Sequence, residues 1–190
     1  MVSFDDKPVL DLTIAEWEAY LDGDPSDDGV RLKIRKKSSS APGITWSEAL
    51  DVALCHGWID GQSKRLDDDY MLQAFTPRRP RSTWSQINVE HVARLTAEGR
   101  MRPRGIAEVE RAKADGRWDA AYRVKGATAP PDLQAALDAE PAAAAYLDSL
   151  TKAERFRIYF RISGIKTPAV RAARIADVVE KAARGEQHYR

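Results

Sequence analysis

Period-two alternation of apolar and charged side chains stops at Pro77, and that boundary limits the folds open to this 190-residue chain. In VRLKIRK, residues Val30, Leu32 and Ile34 alternate with Arg31, Lys33 and Arg35, the pattern of a strand with one face on a core and one in solvent. The segments WIDGQSKRL and YMLQAFT flank Asp67-Asp68-Asp69 and read as two further strands joined by an acidic turn. Beyond Pro77 no strand pattern recurs, and punctuated helical segments follow one another. The spacing therefore predicts an α+β chain: a small three-stranded antiparallel sheet packed by helices, followed by a helical C-terminal unit.

Helix starts are marked by chemistry as well as by period. Thr13 with Glu16, Thr45 with Glu48 and Thr151 with Glu154 each have the capping-box spacing, which satisfies two orphan backbone donors. Leu12 and Trp17 can staple across the first of these starts, and Gly57 and Gly99 are placed to stop helices in the left-handed conformation. Trp84, Ile87, Val92 and Leu95 share one helical face, and Pro103, Pro131, Pro141 and Pro168 suit first turns. KGATAPPD reads as a linker, which sets expected domains at residues 1–126 and 127–190.

Charge narrows the function classes. The formal net charge is +1, too small for a general nucleic-acid or membrane-surface protein. Residues 5–28 are strongly acidic, with nine acids against Lys7, and residues 77–104 are basic, with seven arginines against Glu90 and Glu98. The lone Cys55 excludes an internal disulfide, and neither a leader pattern nor a membrane-length apolar run appears, so a cytoplasmic protein is expected.

The ligand-binding candidate is the segment around TPRRPRSTWSQIN. Arg78, Arg79 and Arg81 lie among prolines that restrict the backbone, and each offers a planar fork to carboxylate or phosphate. Trp58 and Trp84 can wall the same place, with Asp60 and Asn88 as polar anchors. In the plainer reading Arg78 or Arg79 pairs with Asp60 or with Asp67–Asp69 and pins the loop to the sheet, with both indoles in the core. Cys55 and His56 do not make a thiol site, because adjacent helical residues point about 100° apart, and no metal-ligand spacing accompanies them. No catalytic residue, metal or cofactor is therefore assigned. On the basic tail, Arg171, Arg174, Lys181 and Arg184 lack interleaved aromatics, which argues for a solvated face over a nucleic-acid surface.

The strings GWIDGQ, TPRRPRSTWSQIN, GRM, GRWDAAY and RIYFRISGIKTPAVRAARIADVVEKAARGE, in that order, resemble the YdeI/OmpD-associated, or bacteriocin-protection, family over about residues 46–186. That resemblance implies a non-enzymatic binding or interaction protein contributing to antimicrobial-peptide or envelope-stress resistance, in some members through a porin partner. A peptide, a small anion and a protein partner all suit this reading. The alternative is an enzyme or sensor of a small anionic metabolite, with the three arginines on the anion and Asp60 or His56 carrying a proton.

Overall fold

The computed structural model describes residues 2–123 and 126–186, and the chain divides into two compact units, Met1–Tyr122 and Arg123–Arg190. In the first unit β1 (Val9–Leu10), β2 (Val30–Arg35), β3 (Trp58–Arg65) and β4 (Tyr70–Pro77) form a sheet in the order β1-β2-β4-β3. Its helices are α1 (Ile14–Asp22), α2 (Trp46–Cys55), α3 (Gln86–Ala97) and α4 (Pro103–Ala114).

The α+β class holds, but the sheet has four strands and is mixed. β1 pairs in parallel with β2, Val9 opposite Arg31, while β2 and β3 both pair antiparallel with β4. A two-residue strand carries no periodicity, so β1 is visible only through its pairing. β2 alternates buried and half-buried along its length, as its sequence requires.

Two apolar clusters share α2 as a common wall. Trp17 and Leu21 of α1, Val30, Leu32 and Ile34 of β2, and Trp58 and Phe75 pack with Ala49, Val52 and Ala53 of α2. The opposite side of α2, through Leu50, Leu54 and Cys55, packs with Trp84, Val92 and Leu95 and with Val109 and Ala112 of α4. α2 is thus buried on every side from Ala49 to Cys55, which is why its sequence lacks a polar stripe. α4 approaches α2 closely at Gly105, where a Cβ would lie 2.1 Å from the Cys55 carbonyl oxygen. The turn after α2 passes through Gly57 at φ +74°, a conformation glycine adopts without strain.

The second unit contains α5 (Pro131–Asp138), α6 (Pro141–Ser149), α7 (Lys152–Ser163) and α8 (Pro168–Ala183). Its core gathers Leu133 and Leu137, Ala143 and Leu147, Ile158 and Ile162, and Ile175, Val178 and Ala182. All three expected capping boxes form, at Thr13, Thr45 and Thr151. Among the described residues no helix is long and apolar enough to cross a membrane.

Candidate functional site

β4 ends where the Arg78 amide donates to the Gly57 carbonyl, 2.9 Å away, tying the loop to the glycine turn that follows α2. A tight turn follows: Ser82 N–H donates to Arg79 O at 2.9 Å, and Arg79 N–H donates to Ser82 Oγ at 3.1 Å. Trp84 comes next, and Ser85 caps α3 by accepting from the Asn88 amide. These constraints leave Arg79 and Arg81 exposed and turn Arg78 inward, where it is only 6% exposed.

Inside, the Arg78 guanidinium lies over the Trp84 ring, 3.5 Å from its centroid. Nη1 donates to the Thr83 carbonyl at 3.3 Å, whereas Nε and Nη2 have no acceptor among the described residues. Among the described residues, no carboxylate lies within 4.0 Å of Arg78, Arg79 or Arg81. Burial, with a smaller push from Arg117, brings the Arg78 pKa down to about 10 against the opposing pull of Tyr122 and Asp60. A cation–π contact of this kind is worth about 2 kcal/mol, whereas an unpaired buried cation costs several. The stack alone therefore leaves an electrostatic deficit at this position.

The surroundings repeat the pattern. Arg117 Nε donates to both carboxylate oxygens of Asp115 at 2.8 Å and Nη1 to Ser82 O at 2.7 Å, while its buried Nη2 lacks an acceptor among the described residues. Trp84 packs edge-on to Trp118 at 4.8 Å, and its indole N–H likewise has no acceptor among the described residues. Tyr122 joins the cluster through the backbone, donating to Trp84 O at 3.0 Å and accepting from Gln86 N–H at 2.8 Å. Burial raises its phenol pKa. Asp60, half-buried, accepts from Trp46 Nε1 at 3.1 Å, and burial raises its carboxyl pKa against that hydrogen bond. The Trp46 indole is 38% exposed. Beside Arg78 a hollow of about 350 Å³ is lined by Lys7, Asp28, Thr76, Pro77, Arg79 and Pro80, among others. The buried donors of Arg78, Arg117 and Trp84 form a donor-rich, acceptor-poor cluster whose chemistry suits an oxyanion or carboxylate, while the adjoining hollow also carries the carboxylates Asp27 and Asp28.

The expected residues separate. Arg78 and Trp84 touch, and Asp60 lies close enough to Arg78 to act on its pKa. Trp58 does not share their wall: it packs edge-on against Trp17 at 6.1 Å in the sheet core, because the first inward position of β3 faces α1 and α2. Asn88 is buried in the first turn of α3. Arg79 and Arg81 point to solvent, so only one of the three guanidinium groups enters the cluster. Nor does the pinning arrangement form, since Asp67 instead accepts the Asp69 and Tyr70 amides at 2.8 and 2.7 Å as ordinary turn chemistry. Sequence reasoning did not single out Trp46, Arg117 or Tyr122. The only signal for the last two was the string GRWDAAY, and nothing local marked them as neighbours of Arg78.

The other titratable groups are accounted for by structure. Burial pushes the Cys55 thiol up to about 11, so it stays protonated and unreactive near neutral pH. His56 Nδ1–H donates to the Val52 carbonyl at 2.9 Å, and Nε2 meets Asp22 Oδ1 at 3.0 Å, so neither nitrogen is open to a substrate. On α8 each expected basic residue meets an acid: Arg171 with Asp132, Arg174 and Lys181 with Asp177, and Arg184 with Glu180. Among the described residues no three His, Cys, Asp or Glu side chains gather as a metal site.

Residues 12–108 match the family model described as a domain of unknown function, DUF8412, and residues 127–185 match the one described as Bacteriocin-protection, YdeI or OmpD-Associated. No curated protein and no solved structure gives a match. The bacteriocin-protection match thus lies within the helical second unit and is shorter than the 46–186 span the motifs suggested. The Arg78–Trp84 cluster falls under the first model.

Proposed function

The chain belongs to the DUF8412 family and carries a bacteriocin-protection, YdeI or OmpD-associated segment at residues 127–185, and on that premise we propose that it is a binding protein serving bacteriocin protection whose first unit holds an anionic group at Arg78. One observation carries the reading: a guanidinium 94% buried, with Nε and Nη2 lacking any acceptor and no carboxylate beside it among the described residues. A ligand oxyanion or carboxylate would satisfy both donors, and Arg117 Nη2 offers a further one nearby. The protective role rests on the description of the matched segment, and the anion site supplies a chemistry through which the protein would sense or sequester its ligand.

A second reading is favoured by Asp60. Its carboxyl, raised in pKa by burial and sensed electrostatically by Arg78, is placed to exchange a proton with a bound anion's neighbouring group, the arrangement an enzyme or sensor would use. His56 leaves that role, being enclosed between Val52 and Asp22.

Thermal-shift titration with inorganic phosphate and with a panel of mono- and dicarboxylates tests the binding reading. A ligand at a hundred times its Kd stabilises the native state by about 2.7 kcal/mol. The rise should disappear in Arg78→Leu and persist in Arg79→Ala. Equal stabilisation of the wild type and Arg78→Leu would refute the site. Loss of survival on bacteriocin challenge in cells carrying Arg78→Leu, measured at matched protein level, tests the physiological half.

A further inference from the structure

A groove of about 860 Å³ runs along the second unit between α8 and α5, and its floor is an unbroken stripe of α8 at three- and four-residue intervals from Pro168 to Arg184. We propose that this groove is a self-association surface in which α8 of a second copy packs antiparallel, with the twofold axis passing between Ile175 and Ala176.

The stripe is self-complementary in that register, and of the antiparallel registers one turn apart it is the one that sets Arg171 against Glu180. Arg171 meets Glu180 of the second copy, and the same pair recurs across the axis. Ala172 then faces Val179, Ile175 faces Ala176, and Pro168 faces Ala183, so apolar meets apolar at every other level. Parallel packing would set Arg171 on Arg171 and Glu180 on Glu180. Sliding one copy by a turn toward its C-terminus would set Arg171 opposite Arg184. Isologous contacts demand a surface that matches itself after a half-turn, and this one does.

Charge and size point the same way. The rim cations are already held by rim acids, Arg171 by Asp132 at 2.5 Å and Arg184 by Glu180 at 2.6 Å, which leaves Glu140 as the one rim charge outside an ion pair among the described residues. Antiparallel pairing joins these pairs into two four-membered chains, Asp132–Arg171–Glu180–Arg184, each crossing between copies. The exposed alanines at 172, 176 and 183 leave room for the helix axes to approach to about 8 Å, the close end of helix packing. At about 1.5 Å per residue, α8 supplies roughly 24 Å of contact.

Sedimentation velocity on the full chain, over a concentration series reaching on the order of 100 µM, should show a monomer–dimer equilibrium. Glu180→Arg sets three cations against the lone Asp132 at each crossing and should weaken the dimer at least about tenfold. Glu180 is exposed, so the variant's circular dichroism should not move, nor its melting temperature at concentrations where both proteins are monomeric. Arg171→Glu should weaken self-association likewise, and mixing the two variants should restore a dimer, because each crossing then pairs arginine with glutamate. Should Arg171→Glu disturb the fold by releasing Asp132, Ala176→Glu provides the same disruption from an exposed position on the axis. A wild type that stays monomeric across the series overturns the proposal, as does a dimer indifferent to Glu180→Arg and Ala176→Glu. A monomer whose groove is protected only by an added helical peptide would assign the surface to a foreign partner and overturn it too.

Discussion

Replacing Arg78 with leucine should leave the ligand-free protein as stable as before, or more stable, although the side chain is 94% buried. The substitution gives up the stack on Trp84, about 2 kcal/mol, and the hydrogen bond to the Thr83 carbonyl, about 1 kcal/mol. It also removes two buried donors that have no acceptor among the described residues, Nε and Nη2, each costing about 1–3 kcal/mol. The charge itself is disfavoured where it lies, since burial lowers its pKa to about 10. The balance runs from near neutral to a gain of about 3 kcal/mol, which at this chain length corresponds to a rise of up to roughly 10 °C in the first unit's melting temperature. Calorimetry and urea denaturation of the two proteins, without added anion, measure it. A stabilised but non-binding variant is the mark of a residue kept for its ligand. If Arg78→Leu instead loses 2 kcal/mol or more, the guanidinium is an internal strut and the anion site fails with it.

Three further outcomes follow from the same structure. Gly105→Ala should destabilise the first unit by about 3 kcal/mol in urea denaturation, because the new methyl would sit 2.1 Å from the Cys55 carbonyl and α4 must retreat from α2. Burial pushes the Asp51 pKa up, but hydrogen bonds from Arg94 and His91, at 2.5 and 2.6 Å, outweigh it and hold the carboxyl below its usual value. Its stabilising contribution is therefore complete above the unfolded-state pKa of about 3.9 and is lost as pH falls through the lower folded value. Wild type and Asp51→Asn should accordingly differ most in stability above about pH 4 and draw together as the pH falls below it, and parallel curves throughout would contradict the assignment. Asp60 shows the opposite sign: its raised folded pKa means stability is greatest below the unfolded pKa and declines as pH rises through the folded one. Asp60→Asn should thus gain on the wild type above about pH 4 and match it in stronger acid, as read by the same pH series.

Much of the local architecture was legible because its causes are local. Three capping boxes form where Thr and Glu stand three apart, Gly57 and Gly99 adopt positive φ at the helix stops, and β2 buries the residues its alternation marks. Each of these is settled within a few residues by hydrogen bonding, sterics or side-chain period. β1 was not legible, since two residues show no period and pair only because β2 lies alongside. The candidate site was half legible: the proline-flanked arginines marked the segment, but not which of the three would turn inward.

Composition and spacing alone determined the class of elements, their order, and that an arginine-rich loop would follow the last strand. Tertiary structure decided the rest, because burial depends on what packs against a residue and not on the residue itself. It parted Trp58 from Trp84 into different cores, drew Arg117 and Tyr122 to Arg78 from some forty residues away, and set beside that buried guanidinium no neutralising carboxylate among the described residues.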